Sequence, residues 1–385
     1  MTLKRWVQGL GGWVVLYNSR FPFLSHSVYL DVVDTEHKLA AFLPTLRAAR
    51  WVAVDTEADS LHAYPEKLCL IQISTVAGDR LIDPLASLNL APVLEALSGH
   101  QLIMHGADYD LRLLRKHHDF VPSAIFDTML AARLLGVRQF SLGNLTETFL
   151  GVKLEKGPQK ANWAIRPLTE RMERYARNDT HYLKPLADQL GGELEAKQRL
   201  IWHHETCMRL IGDTAKPRPV DPDAVWRIKG SHLLGRPALA VLRELFGWRE
   251  AEAIAANKPP FFILSHQLLV EIAGAAVASR PVDPLLPRYL SERRRRTLRE
   301  AVASGLCLSP EHHPKIPRAV GRRPSEVERR RFMELQKRRD ARAAELAIDS
   351  TLIASRAMLS DLAHDWDQYA PELMSWQREL LDHGR

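Results

Sequence analysis

The stretch WVAVDTEAD, Trp51–Asp59, limits the fold of this chain more than any other segment. Its apolar half has the composition of a buried strand. Residues two apart in a strand share a face, so Asp55 and Glu57 stand side by side while Thr56 faces away. Two like charges at that spacing repel, and partial burial strengthens the repulsion. The arrangement calls for a proton or a cation shared between the two acids at the end of a strand in a packed sheet.

The surrounding sequence supplies that sheet. LCLIQIS (Leu68–Ser74) and DRLIDP (Asp79–Pro84) read as two further strands. The short links, with Gly78-Asp79 as a turn signal, predict an antiparallel meander. APVLEALSG reads as a helix ending at Gly99, and QLIMH (Gln101–His105) as a strand followed by a helix through DYDLRLLRKHH. DTMLAARLLG is expected to be a helix closed by Gly136. SLGNLTETFLG is expected to be a helix capped by Ser141 and stopped at Gly151. KLEKGPQKANWAIRP reads as a loop, and a long helix starts near Leu168 with Thr169 as N-cap. Beyond about Gly212 the pattern changes. DTAKPRPVDPD is a Pro-rich linker, and strand alternation does not return. In the helical half, LAVLRELFGWREAEAIAANKPPFFILSHQLLVEIA and RFMELQKRRDARAAELAIDSTLIASRAMLSDLA echo one another. Each is a charged helix, a short break and an apolar helix opening near a Ser, which predicts a duplicated module joined through Pro310–Pro324.

Three further signals join the opening pair of acids. HGADYD, His105–Asp110, follows a strand and begins a helix, which places Asp110 in its first turn near the end of the Asp55 strand. Asp108 competes for that role, but two residues apart on a helix means a different face. In RYARNDTHYL, Tyr175 and Asp179 are spaced i, i+4 and share a face, while His181 points elsewhere. Taken singly, each acid reads more readily as a cap or a surface charge. Together Asp55, Glu57, Asp110 and Asp179 form a quartet that cannot stay ionised without counter-charge. Oxygen ligands without cysteine select Mg²⁺ or Mn²⁺ over zinc, and two such ions about 4 Å apart suit phosphodiester hydrolysis. Tyr175 would orient the attacking water or help take its proton, though an ordinary phenol is a poor base unless the metals lower it.

Composition narrows the setting. Cys69, Cys207 and Cys307 lie far apart with no CxxC spacing, which disfavours a disulfide framework or structural zinc and fits a reducing cytoplasm. No run of 18 apolar residues predicts a membrane span. The N-terminal MTLKRWVQGLGGWVVLYNSR reads as an extension rather than a signal peptide, because its apolar part is short and Gly-broken. The net charge is +7, and Ser291–Asp340 holds 15 Lys/Arg against 7 Asp/Glu. One region thus carries the whole surplus. That points to a polyanion partner or to a solvated helix of mixed charge, and charge alone does not separate the two.

VDTEADSLHAYPEKLCLIQIS, MHGADYDLRLL, FDTMLAARLLG and ANWAIRPLTERMERYARNDTHYL together resemble ribonuclease D and its relatives, the DEDD 3′–5′ exonucleases. The resemblance spans roughly Val28 to Leu190. It implies an α/β ribonuclease H-like exonuclease domain, a mixed sheet flanked by helices, followed by an all-α HRDC-like region. It implies Asp55 and Glu57 as the first motif, Asp110 rather than Asp108 as the second, and Tyr175 with Asp179 as the last, in the tyrosine subclass. The sister subclass carries a histidine where this chain has Arg174. The expected layout is an N-terminal extension over 1–27, without an assigned role, the exonuclease domain over 28–211, an HRDC domain over 212–300 and a second HRDC-like module over 301–385. The second is similar to HRDC only in pattern. The resemblance implies a two-metal exoribonuclease acting on RNA, with tRNA precursors as substrates, in the cytoplasm, with no membrane association and no protein partner expected. His105, Lys160 and Trp163, with Lys156 and Gln159 nearby, are candidate substrate contacts; a capping or core role for His105 and a plain surface loop for the others compete. Gln72 and Ile73 read as structural. Two rivals remain: the same chemistry on DNA, and a non-catalytic nucleic-acid-binding protein. The second is disfavoured because all four acids and the tyrosine are present.

Overall fold

The computed structural model describes residues 32–216, 221, 224–315 and 323–382, with the backbone of two N-terminal strands. Those strands, β1 (Trp6–Gly9) and β2 (Gly12–Val15), pair antiparallel as a hairpin. The rest of the N-terminal extension lies outside the described residues.

The half that follows is built on a six-stranded mixed sheet in the order β3-β6-β5-β4-β7-β8. Its strands are β3 (Val32–Val33), β4 (Val52–Ala58), β5 (Leu68–Thr75), β6 (Gly78–Ile82), β7 (Gln101–Met104) and β8 (Ala124–Asp127). The expected meander is present: β5 runs antiparallel to both β4 and β6. β7 and β8 continue the sheet in parallel, joined by helices. Strands β3 and β8 and the first helix, α1 (Glu36–Arg47), were not anticipated from sequence. Two- and four-residue strands carry too little alternation to register as a pattern.

One face of the sheet packs on α1, α2 (Ala91–Ser98) and α3 (Asp108–His118), where Leu39, Leu46, Val93, Leu97, Leu111 and Leu114 meet Val52, Val54 and Ile71. After α4 (Thr128–Leu134) and α5 (Leu142–Leu145), a loop without regular structure leads to α6 (Glu170–His181). The predicted long helix breaks at Tyr182 and resumes as α7 (Leu183–Ala196), whose Leu183 and Ala187 cover Ala53 and Ile103 on the opposite face. α8 (Leu200–Ala215) returns to the first face, where Cys207 and Ile211 join the core. A boundary after 211 therefore falls inside a helix still packed on the sheet.

The helical half holds α9 (Arg236–Ala256), α10 (Pro260–Ile263), α11 (His266–Val277) and α12 (Glu292–Cys307), then α13 (Glu326–Leu346), α14 (Ser350–Ile353), α15 (Arg356–His364), α16 (Trp366–Tyr369) and α17 (Ser375–Leu381). The expected boundary at 300/301 also falls inside a helix. The SERRRRTLREAVASGLC pattern runs on through Cys307, and its Gly305 lets α12 lie against the backbone of Val241 on α9.

The two echoing stretches correspond landmark for landmark at a constant spacing of 90 residues, as 236 to 326 and 265 to 355 show. Each long helix ends on a left-handed residue, Asn257 or Ala347. Each continues through a four-residue helix, an extended residue, and a helix capped by a serine hydroxyl, Ser265 or Ser355. Each long helix also buries one arginine. Arg249 Nη1 donates to the Leu264 carbonyl and Arg339 Nη1 to the Ala354 carbonyl, and each guanidinium also binds the acid that follows it, Glu250 or Asp340.

Candidate active site

The pairing of β4 with β7 stops at Ala53–Ile103, while the pairing with β5 runs on through Glu57. The last residues of β4 thus have a free edge at the carboxyl end of the parallel strands, where the sheet changes direction. Such switch points form binding crevices in α/β sheets. Asp55 lies opposite Gln72 of β5, whose Nε2 donates to Asp55 Oδ2 at 3.4 Å. Glu57 follows on the same face, just before a bulge at Ala58.

Thr56 does face away from these two, and there it meets Asp110. Asp110 Oδ1 accepts the Thr56 backbone N–H at 3.1 Å and the Thr56 hydroxyl at 2.5 Å. The carboxylate takes the place of the missing strand partner. Asp108 is instead exposed and paired with Arg112 one turn on.

The start of α3 is held by a residue not singled out from sequence. Asp127, fully buried, accepts the N–H groups of Gly106 and Ala107 before α3 and of Met129 and Leu130 in α4. One carboxylate therefore caps two helices. The available signal was an Asp directly ahead of a helix, in FDTMLAARLLG.

Asp179 comes from α6 on the other face. Asp55, Glu57 and Asp179 each bring an oxygen within 4.8 Å of the others. Helix α6 is pinned to the sheet by its neighbours. Ser74 Oγ meets Thr180 Oγ1 and Asp79, and His181 Nδ1 meets Asp79 Oδ2 at 2.8 Å. Burial opposes ionisation of Asp79, yet the bonds from His181 and Ser74 hold its carboxyl below the ordinary value.

The electrostatics match a cation site. Burial, and then repulsion from the neighbouring acids, raises Glu57 to about 9, Asp179 to about 8 and Asp55 well above the ordinary value, while burial raises Asp110 to about 7 against the bonds from Thr56. Asp179 Oδ2 is shielded from water and has no hydrogen-bond partner among the described residues. An acceptor orphaned among three other acids fits a divalent cation, and an all-oxygen donor set suits a hard one.

Residues 30–195 match the family described as 3′–5′ exonuclease, and residues 238–280 match the HRDC domain. Ribonuclease D of Granulibacter bethesdensis is 30% identical over 374 residues, 94% of this chain and 92% of that protein. Ribonuclease D of Gluconacetobacter diazotrophicus is 30% identical over 361 residues, 91% and 90% of the two chains. The chain belongs to the ribonuclease D family. The fold agrees: the crystal structure of Escherichia coli RNase D superposes over 92% of this chain and 98% of that one, with a TM-score of 0.69 at 24% identity.

The other candidates of this ribonuclease D family member fall in different places. Tyr175 lies on the Asp179 face of α6, 6.0 Å from Trp163 between ring centroids. Burial, and then the Asp179 charge, raises its phenol, while a bond from Gln159 works against the rise. Trp163 is only 1% exposed, so it cannot stack on a terminal base; it packs under the tyrosine instead. His105 is half-buried. Its Nδ1 meets Thr128 Oγ1 at 2.9 Å, Thr128 donates on to the Met104 carbonyl, and burial lowers the imidazole. It ties β7 to α4. Lys160 is exposed on the loop. Gln72, read as structural, touches Asp55 directly.

Part of the basic surplus is taken up within the fold. Arg293 and Arg294 bind Glu252, Arg299 binds Asp283 and Glu292, Arg295 binds the carbonyls of Pro287 and Leu290, and Arg339 binds Asp340. Local charge excess by itself is therefore a weak sign of a polyanion surface here. Among the described residues no helix is long and apolar enough to cross a membrane.

Proposed function

We propose that this enzyme, a 3′–5′ exoribonuclease, removes single nucleotides from RNA 3′ ends as 5′-monophosphates, with two divalent ions, Mg²⁺ or Mn²⁺, held by Asp55, Glu57, Asp110 and Asp179. The observation that carries the reading is the convergence of Asp55 and Glu57 of β4 with Asp179 of α6 around the orphaned Asp179 oxygen; Asp110 of α3 lies outside that trio, held by Thr56, and adds its charge to all three. When bound, the ions would neutralise the acids, activate water and stabilise the leaving 3′ oxygen. The chain's own part is positional. Gln72 orients Asp55, Thr56 and Asp127 fix Asp110, and the Ser74–Asp79–His181 network fixes the helix that carries Asp179 and Tyr175. With its phenol raised, Tyr175 stays protonated at neutral pH, which suits it to align a water by hydrogen bonding rather than to act as the base.

Structured RNA, tRNA precursors included, is the substrate class we favour, because the solved Escherichia coli relative is titled as an exoribonuclease involved in structured RNA processing. We assign 32–215 to the exonuclease domain and read the α13–α15 unit as a second HRDC-like module on the strength of its correspondence with α9–α11. A cytoplasmic setting fits free Cys69, Cys207 and Cys307. The test is a 3′-labelled RNA, with a matched DNA, incubated with Mg²⁺, Mn²⁺ or EDTA. Stepwise shortening of the RNA that chelation stops is expected. Asp55→Asn should lower the rate by at least about 10³-fold with folding retained; an unchanged rate removes Asp55 from the metal set.

A further inference from the structure

The turn between β4 and β5 touches both the HRDC domain and the loop over Tyr175. Tyr64 Oη donates to Glu250 Oε2 at 2.5 Å, and Tyr64 N donates to Asn257 Oδ1 at 3.3 Å. Glu250 is fixed from behind by Arg249, itself buried in the HRDC core. Two residues earlier, His62 Nε2 donates to the Lys160 carbonyl at 2.9 Å.

Lys160 belongs to the segment that covers the tyrosine. Gly157 lies flat on the Tyr175 ring, where a Cβ would come within 1.4 Å of Cδ2, and Gln159 hydrogen-bonds Tyr175. The far end of this loop is anchored by Arg166 to Asp83 and to the Cys69 carbonyl. Its middle has no regular structure and is held by His62 at the Lys160 carbonyl and by Arg171 of α6 at the Lys156 carbonyl. The turn itself is stiff. Buried Asp59 accepts the Lys67 N–H on its carboxylate and those of His62 and Ala63 on its carbonyl. A shift at Tyr64 is therefore carried to His62 rather than absorbed between them.

We propose that the turn Asp59–Lys67 is a relay, in which the seating of α9 on Tyr64 sets, through His62, the place of Gly157–Lys160 over Tyr175. Tyr64 and His62 are then positioning residues for hydrolysis. Their effect on rate rests on the exoribonuclease reading above; their effect on the loop does not.

The loop is measured first, on full-length protein by amide hydrogen exchange. Tyr64→Phe should speed exchange of residues 156–161 at least about tenfold, although Tyr64 does not touch them; unchanged exchange there overturns the relay. Steady-state kinetics follow, on a dinucleotide and on a long 3′-labelled RNA with Mn²⁺. Tyr64→Phe and His62→Ala should each lower kcat on both substrates by about 10- to 100-fold, the range expected from misplacing a catalytic group. His62→Gln, which keeps an N–H donor, should restore most of it, and the double variant should be no worse than either single one. If instead only KM for the long RNA rises and dinucleotide kcat is kept, Tyr64 merely glues the HRDC domain in place and the relay is wrong. Additive losses in the double variant would also overturn it. Failure of the exoribonuclease reading looks different: the unmodified enzyme would then show no chelator-sensitive shortening while the exchange result stands.

Discussion

The two helical modules share an architecture and differ in what they are fastened to. Both meet the exonuclease domain at the same corner, the left-handed turn that ends the long helix. In the first module that corner presents Asn257 and Glu250 to Tyr64 through a few polar bonds, and the module keeps a core of its own around Trp226, Leu242, Leu269 and Leu298. In the second, the corner is fused to the catalytic domain. Arg199, mostly buried, donates to the Leu134 and Leu346 carbonyls at the ends of α4 and α13, and Gly136 comes against the Ala347 carbonyl. Trp376 stacks on Trp202 of α8 at 4.9 Å, and Leu359, Leu362 and Leu381 share one apolar cluster with Leu186 and Leu190 of α7. Burying apolar surface stabilises far more than a handful of exposed polar contacts. The difference teaches that a duplicated fold can serve once as an arm held by a few polar bonds and once as a wall of the enzyme.

The largest effect should come from the shared core. Trp376→Ala removes a side chain 2% exposed and should cost about 3–5 kcal/mol. Because the second module and the exonuclease domain share that core, both should melt together, earlier by one step seen in calorimetry. A separate early transition confined to residues 326–381 would break the comparison. Gly136→Ala tests the same junction more locally. A Cβ there meets Ala347 O at 2.1 Å on a residue with φ of 86°, which predicts a loss of about 2–4 kcal/mol in chemical denaturation. Leu242→Ala in the first module should cost a similar amount, about 2–4 kcal/mol, but in a transition that leaves the exonuclease melting point in place.

Much of this was legible in sequence, and the failures share a cause. The meander and the caps at Ser141 and Thr169 follow from local pattern, because period, capping chemistry and turn glycines act within a few residues. The echo between the helical stretches was visible too, since the buried arginine, the turn and the serine cap are local marks. What stayed hidden depends on partners distant along the chain. Trp163 looked like a stacking platform because an aromatic residue in a basic loop does not reveal that it folds under Tyr175. The surplus of arginine looked available because nothing in ERRRR says that Glu252, some forty residues earlier, takes up two of them. The fusion at Arg199 is likewise a meeting of three segments that no spacing encodes.

The smallest effect comes from the acids, and it sharpens the comparison by asking what the metal site is coupled to. The acids have folded-state values raised above their ordinary ones, with Glu57 at about 9, Asp179 at about 8 and Asp110 at about 7. Between about pH 4 and 9 these acids therefore bind more protons in the folded chain than in the unfolded one, and their contribution to the linkage slope is negative. The acids' contribution to metal-free stability should be full at about pH 4 and be lost as the pH rises through 7 to 9. Asp55→Asn should flatten that fall and raise the metal-free melting point at pH 8 by a few degrees, roughly 1–2 kcal/mol, by removing one charge from the cluster. Divalent ions compete with protons for the same oxygens, so Mn²⁺ should stabilise the parent more at pH 8 than at pH 5. That gain belongs to whatever melts with the sheet. If the second module is a wall of the enzyme and the first an arm, Mn²⁺ raises the transition that includes Trp376 and leaves the Leu242 transition where it was. Equal shifts in both transitions would mean that the arm is coupled to the acids far more tightly than its few polar contacts allow.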